Sequence, residues 1–217
     1  MEKTEILEAI KACKENTKKR NFQQSFDLII NLKGIDLKKT DNQKEFFIIL
    51  PHVTKTKKIC ALIGGELKEQ ATEICDKFLI SDDFAEYSKD KKAVKKLTDE
   101  YDYFIAQANI MPQIATSFGK VFGPRGKMPN PKAGCIVPPK VQLNPIYDKL
   151  QKTVKAAWKK SLVLQVLVGT ETMKDEEIAD NIITYYNTVI GQLPNDINNL
   201  KSVYLKLTMG SIVKIKV

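Results

Sequence analysis

A chain of 217 residues, 43% hydrophobic and 28% charged, has the composition of an ordinary soluble globular protein, with room for one large domain or two small ones. Its 35 basic and 26 acidic residues leave a formal net charge of +9, which points to an anionic partner, nucleic acid or acidic membrane. No apolar run approaches the ~20 residues that span a bilayer, the N-terminus is polar from Glu2 onward with no signal peptide, and neither membrane nor secretion is expected.

The excess charge is segregated. Residues 11–20 hold five basic residues and one acidic, 118–160 ten and one, and 201–217 four and none. Such segregation favours a directed anion-binding surface over an evenly solvated one. The four cysteines, at 13, 60, 75 and 135, form no C-x-x-C pair, and the single histidine, His52, is far from all of them in sequence. No metal site is expected, and the free thiols fit a reducing, cytoplasmic setting. Cys13, Cys60 and Cys75 read as core residues.

The elements follow in chain order. Residues 5–15 place Ile6, Leu7, Ile10 and Cys13 at helical spacing. Phe26, Leu28, Ile30 and Leu32 alternate with polar residues as a half-buried strand, and 46–50 is a second strand that stops at Pro51. Residues 52–58 read as a linker. The texture then changes: 59–63 is a continuous apolar run ending in Gly64-Gly65, as in a buried parallel strand. Helix 66–76, strand 78–80, a strongly basic helix over 89–101, strand 103–106 and a partly helical 111–122 follow. A loop covers 123–139, and a helix over 145–152 has Asn144 as its cap and Pro145 at its first position. This succession makes a small three-layer α/β domain. Residues 153–160 read as a second crossing. Strand 162–168, an amphipathic helix over 171–190 opened by the capping pair Thr172 and Asp175, and a hairpin of 203–208 with 213–217 complete the chain. The terminal pieces are each too small to fold alone. Together they form an α+β sandwich, so the expected domains are 1–56 with 154–217, and an inserted domain at 57–153.

Three places offer chemistry. Gly123-Pro124-Arg125-Gly126-Lys127-Met128-Pro129 combines glycines, which let a phosphate approach the backbone, with cations that neutralise it. It is not a P-loop, and a rigid surface turn explains it equally well. At the hairpin tip, Ser202 and Thr208 offer hydroxyls, Lys206 charge, and Gly210 a turn with φ > 0 and a bare N–H. An ordinary hairpin is the competing reading. In Lys18-Lys19-Arg20-Asn21-Phe22 the cations suit a helix end, and Phe22 is either core or a face presented to a ribose or base. An enzyme reading finds little support: G-x-S-x-G, H-E-x-x-H and a Cys–His pairing in any known local pattern are missing. A nucleotide-binding role for the α/β domain stays open on fold alone, although Gly64-Gly65 is no dinucleotide fingerprint.

At these same places the sequence resembles the large-subunit ribosomal protein L-one family, the protein of the mobile lateral stalk. The motifs are Lys19-Arg20-Asn21-Phe22 with Ser25, the stretch Gly123 to Pro129, and Leu207-Thr208-Met209-Gly210, supported by Phe104-Ile105-Ala106-Gln107 and Val166-Leu167-Val168-Gly169. Their forms are similar to the archaeal branch. The resemblance implies a discontinuous domain as the main rRNA binder and a Rossmann-like inserted domain, with no cofactor. It carries RNA contacts onto Phe22, Ser25, Asp27, Thr208, Met209 and Gly210. It also implies assistance in releasing deacylated tRNA from the exit site and, as in many members, repression of the protein's own mRNA.

Overall fold

The computed structural model describes residues 2–139, 141–159 and 161–216. By its internal contacts the chain divides into two compact units, Met1–Lys55 with Lys152–Val217 (unit 1) and Thr56–Gln151 (unit 2). Unit 1 opens with α1 (Lys3–Glu15), β1 (Ser25–Leu32) and β2 (Lys44–Ile49). Unit 2 holds β3 (Ile59–Ile63), α2 (Lys68–Ile74), β4 (Lys77–Ile80), α3 (Phe84–Lys89), α4 (Lys91–Glu100), β5 (Tyr103–Gln107), α5 (Met111–Arg125), β6 (Ile136–Val137) and α6 (Asn144–Lys152), whose last residue begins the return to unit 1. Unit 1 resumes with β7 (Thr153–Trp158), β8 (Val163–Thr170), α7 (Asp175–Ile190), β9 (Leu200–Leu207) and β10 (Ile212–Ile215).

In unit 1 the strict alternation of β1 sets the sheet. Phe26, Leu28, Ile30 and Leu32 are buried, while Ser25, Asp27, Ile29 and Asn31 take the opposite face. The order is β10-β9-β1-β8, antiparallel throughout, with Leu28 opposite both Leu205 and Val166. Ile6, Ile10 and Cys13 of α1 and Ile178, Ile182, Tyr185 and Val189 of α7 share one core with the inward residues of the sheet. The same core takes Ile48 of β2 and Val154, Ala156 and Trp158 of β7, which pair as an antiparallel ribbon.

Strand β7 occupies residues that the sequence reading treats as a plain crossing. Its outward positions are Lys155 and Ala157, and its inward set includes Ala156, so β-propensity is weak there. Burial decides instead: Trp158 is 1% exposed and its indole N–H donates to the Asn42 carbonyl at 2.8 Å. The unit boundary accordingly precedes Thr153, which pairs with Ile49.

Unit 2 is a parallel sheet in the order β4-β3-β5-β6, the doubly wound, Rossmann-like pattern. Every residue of β3 is buried, as its unbroken apolar run requires. Residues of α3, α4 and α5 pack with Cys60, Leu62 and Phe104 on one face, and Ile59, Ala61 and Ile63 are fully buried on the other. The crevice outside the ends of β3 and β5 is where such sheets take nucleotides. Here the buried Gln107 side chain, at the end of β5, accepts the Gly64 N–H at 2.8 Å.

Several boundaries differ from the sequence reading. The expected basic helix over 89–101 is α4, which starts at Lys91 because Asp90 accepts the N–H groups of Lys92 and Ala93, and the short α3 before it has no counterpart in the sequence reading. Helix 66–76 is a short 3-10 turn followed by α2. Asn144 is the first residue of α6 rather than its cap. Helix α7 begins at Asp175, and Thr172 is no cap: its hydroxyl accepts from Gln23 Nε2 at 2.7 Å. The expected loop from Gly123 holds the last turn of α5 and the strand β6. All four cysteines are free. Cys13, Cys60 and Cys135 are buried, whereas Cys75 is only half-buried.

Candidate nucleic-acid interface

Because β1 begins where antiparallel β9 ends, with Phe26 opposite Leu207, the segment entering β1 lies against the turn leaving β9. Thr208 prolongs the pairing past the strand. Its N–H donates to the Ser25 carbonyl at 3.1 Å, and its hydroxyl accepts the Ser25 N–H at 3.1 Å and donates back to the Ser25 carbonyl at 3.3 Å. The Met209 N–H donates to Gln24 Oε1 at 3.1 Å.

Gln24 is buried, and its other amide atom donates to Glu171 Oε1 at 3.1 Å. Its backbone N–H reaches Glu171 Oε2 at 3.2 Å, and the Glu171 N–H returns to the Gln24 carbonyl at 3.0 Å. One side chain thus ties the hairpin tip to the end of β8. Sequence reasoning misses both residues, since a Gln and a Glu 147 positions apart carry no local signal.

Gly210 sits differently from the sequence expectation. Among the described residues the positive-φ glycines are Gly34, Gly126 and Gly134, and Gly210 is not one of them. Proximity requires the glycine instead: a Cβ there would stand 2.4 Å from Thr17 Oγ1 and 3.0 Å from Leu207 Cβ. Thr17 is held in turn by its hydroxyl, which donates to the Cys13 carbonyl at 2.6 Å at the end of α1.

Between Thr17 and Gln24 the residues Lys18, Lys19, Arg20, Asn21, Phe22 and Gln23 are all exposed. Phe22, left open between core and presented face, is 51% exposed, and Met209 across the tip is 59% exposed. Segments 17–25 and 207–210 therefore form one ridge that combines cations, an exposed aromatic ring and ordered backbone.

The remaining unit 1 candidates lie on the sheet face opposite the core. Asp27 is the register partner of Lys206, and a cavity of about 230 Å³ lies among Asp27, Ile29, Gln165, Leu167 and Lys206. Burial pushes the Asp27 carboxyl above its ordinary range, opposed by the Lys206 charge. Ser202 is six residues back along β9 from Thr208, roughly 20 Å at about 3.3 Å per residue. Its hydroxyl accepts Asn31 Nδ2 at 3.1 Å, so the structure does not bring it to the tip.

In unit 2, Gly123, Pro124 and Arg125 are the last turn of α5, and Gly126 ends it in the left-handed region at φ 64°. Arg125 donates to the Lys95 carbonyl at 3.3 Å and pairs with Asp99, and the Lys127 ammonium donates to the Tyr101 carbonyl. Both cations thus serve the C-terminal end of α4, where positive charge is favourable. These bonds give the stretch a structural part within unit 2. Among the described residues no cluster of His, Cys, Asp and Glu could hold a metal ion, and no helix is long and apolar enough to cross a membrane.

Residues 12–211 match the model of the ribosomal protein L1p/L10e family. The chain belongs to this family. It is 42% identical over 217 residues to a protein named large ribosomal subunit protein uL1 from Pyrococcus abyssi (strain GE5 / Orsay), covering 99% of this chain and 97% of that one. The protein of the same name from Methanothermococcus thermolithotrophicus is 41% identical with 100% of both chains covered, and that of Methanocaldococcus jannaschii is 39% identical with 100% and 97% covered. The archaeal character suggested by Arg20-Asn21-Phe22 and by the stretch from Gly123 to Pro129 agrees with these family members. All three are named for a ribosomal component, not for an enzymatic activity.

Proposed function

We propose that this chain is a non-enzymatic constituent of the large ribosomal subunit in the cytoplasm, and that unit 1 holds the rRNA of the mobile lateral stalk on the ridge of residues 17–25 and 207–210. The observation that carries the site is the joining of these segments at one end of the sheet, through Thr208 with Ser25 and Met209 with Gln24. Such a ridge suits RNA recognised by shape: ordered backbone and hydroxyls meet ribose and phosphate, Lys18, Lys19 and Arg20 neutralise charge, and Phe22 offers a stacking face. Lys206, beside Asp27, would contact the backbone from the sheet face. Ser202 is the weakest member of the set, being committed to Asn31.

Family membership and the stalk motifs extend the reading: the same protein assists release of deacylated tRNA from the exit site, and its RNA surface also binds its own mRNA and represses translation. A nucleotide-binding role for unit 2 has less support, because Gln107 already takes the Gly64 N–H, a backbone donor that a phosphate there would use.

The test is binding of the full chain to a stalk rRNA fragment, with co-sedimentation on large subunits at modest salt. Phe22→Ala should weaken binding about tenfold or more, since stacking on an aromatic ring is worth ~1–3 kcal/mol. Wild-type affinity in Phe22→Ala and Arg20→Gln together would overturn the placement. Failure of the wild-type chain to sediment with large subunits would overturn the function.

A further inference from the structure

Helix α4 carries a charge arrangement that its own fold does not explain. Lys91, Lys92, Lys95 and Lys96 are all exposed, opposite the buried Val94, Leu97 and Thr98. At 100° per residue they share one face, spread along about 7.5 Å of axis. The first turn contains no acidic residue, so Lys91 and Lys92 stand at the positive end of the helix dipole. Lys91 with Lys95 and Lys92 with Lys96 are like-charged pairs at i,i+4, which repel. Each of these features disfavours the helix.

The N-cap Asp90 offsets part of this cost by accepting the N–H groups of Lys92 and Ala93, but the two acids at i+4 from these lysines are used elsewhere. Asp99, at i+4 from Lys95, is paired with Arg125 of α5. Glu100, at i+4 from Lys96, is paired with Lys58 at 3.6 Å. Among the described residues none of the four α4 ammonium groups is in an ion pair. Asp99 and Glu100 are thus neutralised by other cations, and the four lysines are left facing outward together.

We infer that the lysine face of α4 is a second nucleic-acid contact, one that takes the phosphate backbone of RNA without reading its sequence. Lysine is a flexible point charge suited to phosphate and poor at fixing a base, and no aromatic residue lies on this face of the helix. The contact is separate from the ridge on unit 1 and does not depend on that placement.

The test compares the full wild-type chain with the variant Lys91→Gln, Lys92→Gln, Lys95→Gln and Lys96→Gln. Glutamine has nearly the helix propensity of lysine, so the helix is kept. The probe is a short RNA duplex unrelated to the stalk sequence. The variant should bind it about tenfold more weakly at ~50 mM salt, with the slope of log K against log salt shallower by about 1.4–1.8, as for two lost phosphate contacts. Its unfolding midpoint should not fall, because repulsion has been removed. The corresponding Lys→Arg variant should bind like wild type. An unchanged slope and affinity would overturn the inference, as would an affinity loss that tracks a lowered midpoint. Equal competition by polyglutamate of matched charge would assign the face to an acidic protein instead. Phe22→Ala, by contrast, reads only the stalk rRNA fragment, so the two placements fail independently.

Discussion

Thr208 and Ser25 hold one another through three hydrogen bonds, one between backbones and two through the Thr208 hydroxyl. The hydroxyl that sequence reasoning assigns to RNA is thus already spent on shaping the tip. Thr208→Ala should therefore cost about 0.5–1.5 kcal/mol of stability, the worth of an ordinary exposed hydrogen bond. If the ridge binds RNA, its affinity for stalk rRNA should fall by more than that loss explains, and Thr208→Ser should restore both. Urea unfolding and RNA titration on the same three proteins check this. Equal affinity in Thr208→Ala and wild type would leave Thr208 a purely structural residue.

Gly210 is constrained by Thr17, not by its own φ. Gly210→Ala should destabilise unit 1 by about 1–3 kcal/mol, as for an overpacked site. Removing the hydroxyl that the new methyl meets should return part of the loss, so Gly210→Ala with Thr17→Ala should be more stable than additivity allows. A double-mutant cycle by thermal unfolding measures this coupling. Strict additivity would show that something other than the contact with Thr17 Oγ1 fixes the glycine.

The elements that burial pattern alone dictates were legible: the alternation of β1, the unbroken run of β3, and the paired runs of β9 and β10 around Met209-Gly210. What escaped was short or held from far away. Helix α3 has six residues, too few for periodicity to register. Gly123-Pro124 reads as a helix breaker, yet α5 runs through it and stops only at Gly126. The ridge was half legible. Its motifs were visible at both ends of the chain, but the Gln24–Glu171 and Gly210–Thr17 contacts that assemble it depend on antiparallel register, which no local pattern encodes.

Lys127 contacts the Tyr101 carbonyl just past α4, and Arg125 the Lys95 carbonyl within it. Lys127→Met should lower the unfolding midpoint of unit 2 by the equivalent of about 0.5–2 kcal/mol, since it removes a charge-assisted bond near a helix end. Affinity for stalk rRNA should stay at the wild-type level. A loss of affinity with unchanged stability would return this stretch to the RNA surface.

Asp27 gives unit 1 a pH dependence of definite sign. Burial raises its folded pKa above the unfolded value, so the folded state holds the proton more tightly. Stability from this group is fully present below the unfolded pKa and is lost as pH rises through the folded one. Asp27→Asn should therefore be more stable than wild type at about pH 7 and indistinguishable from it near pH 3, where the carboxyl is protonated in both states. Unfolding curves across this range decide it. A variant less stable than wild type at neutral pH would mean that attraction to Lys206 outweighs the cost of burial.

Asn181 is the one fully buried amide of α7, and all its bonding capacity in the fold is directed at backbone. Its Oδ1 accepts the His52 N–H at 3.0 Å, and its Nδ2 donates to the His52 carbonyl at 3.2 Å and the Val168 carbonyl at 2.9 Å. One donor and two acceptors around it fix which way the amide faces. It anchors the segment after β2 to β8 at Val168, which the register shift between β1 and β8 leaves without a partner in β1. Asn181→Ala should leave the Val168 carbonyl buried and unpaired and cost about 2–4 kcal/mol, from one orphaned carbonyl and two bonds at the half-exposed His52. Asn181→Asp should be worse at about pH 7, because it keeps the acceptor for His52 N–H but turns a carboxylate toward two carbonyls. That extra penalty should shrink on acidification, since a protonated carboxyl can donate to one of them. Thermal unfolding of both variants at about pH 7 and about pH 4 separates the cases. An Asn181→Asp variant as stable as Asn181→Ala at both pH values would show that water, not the amide, completes the bonding of these carbonyls.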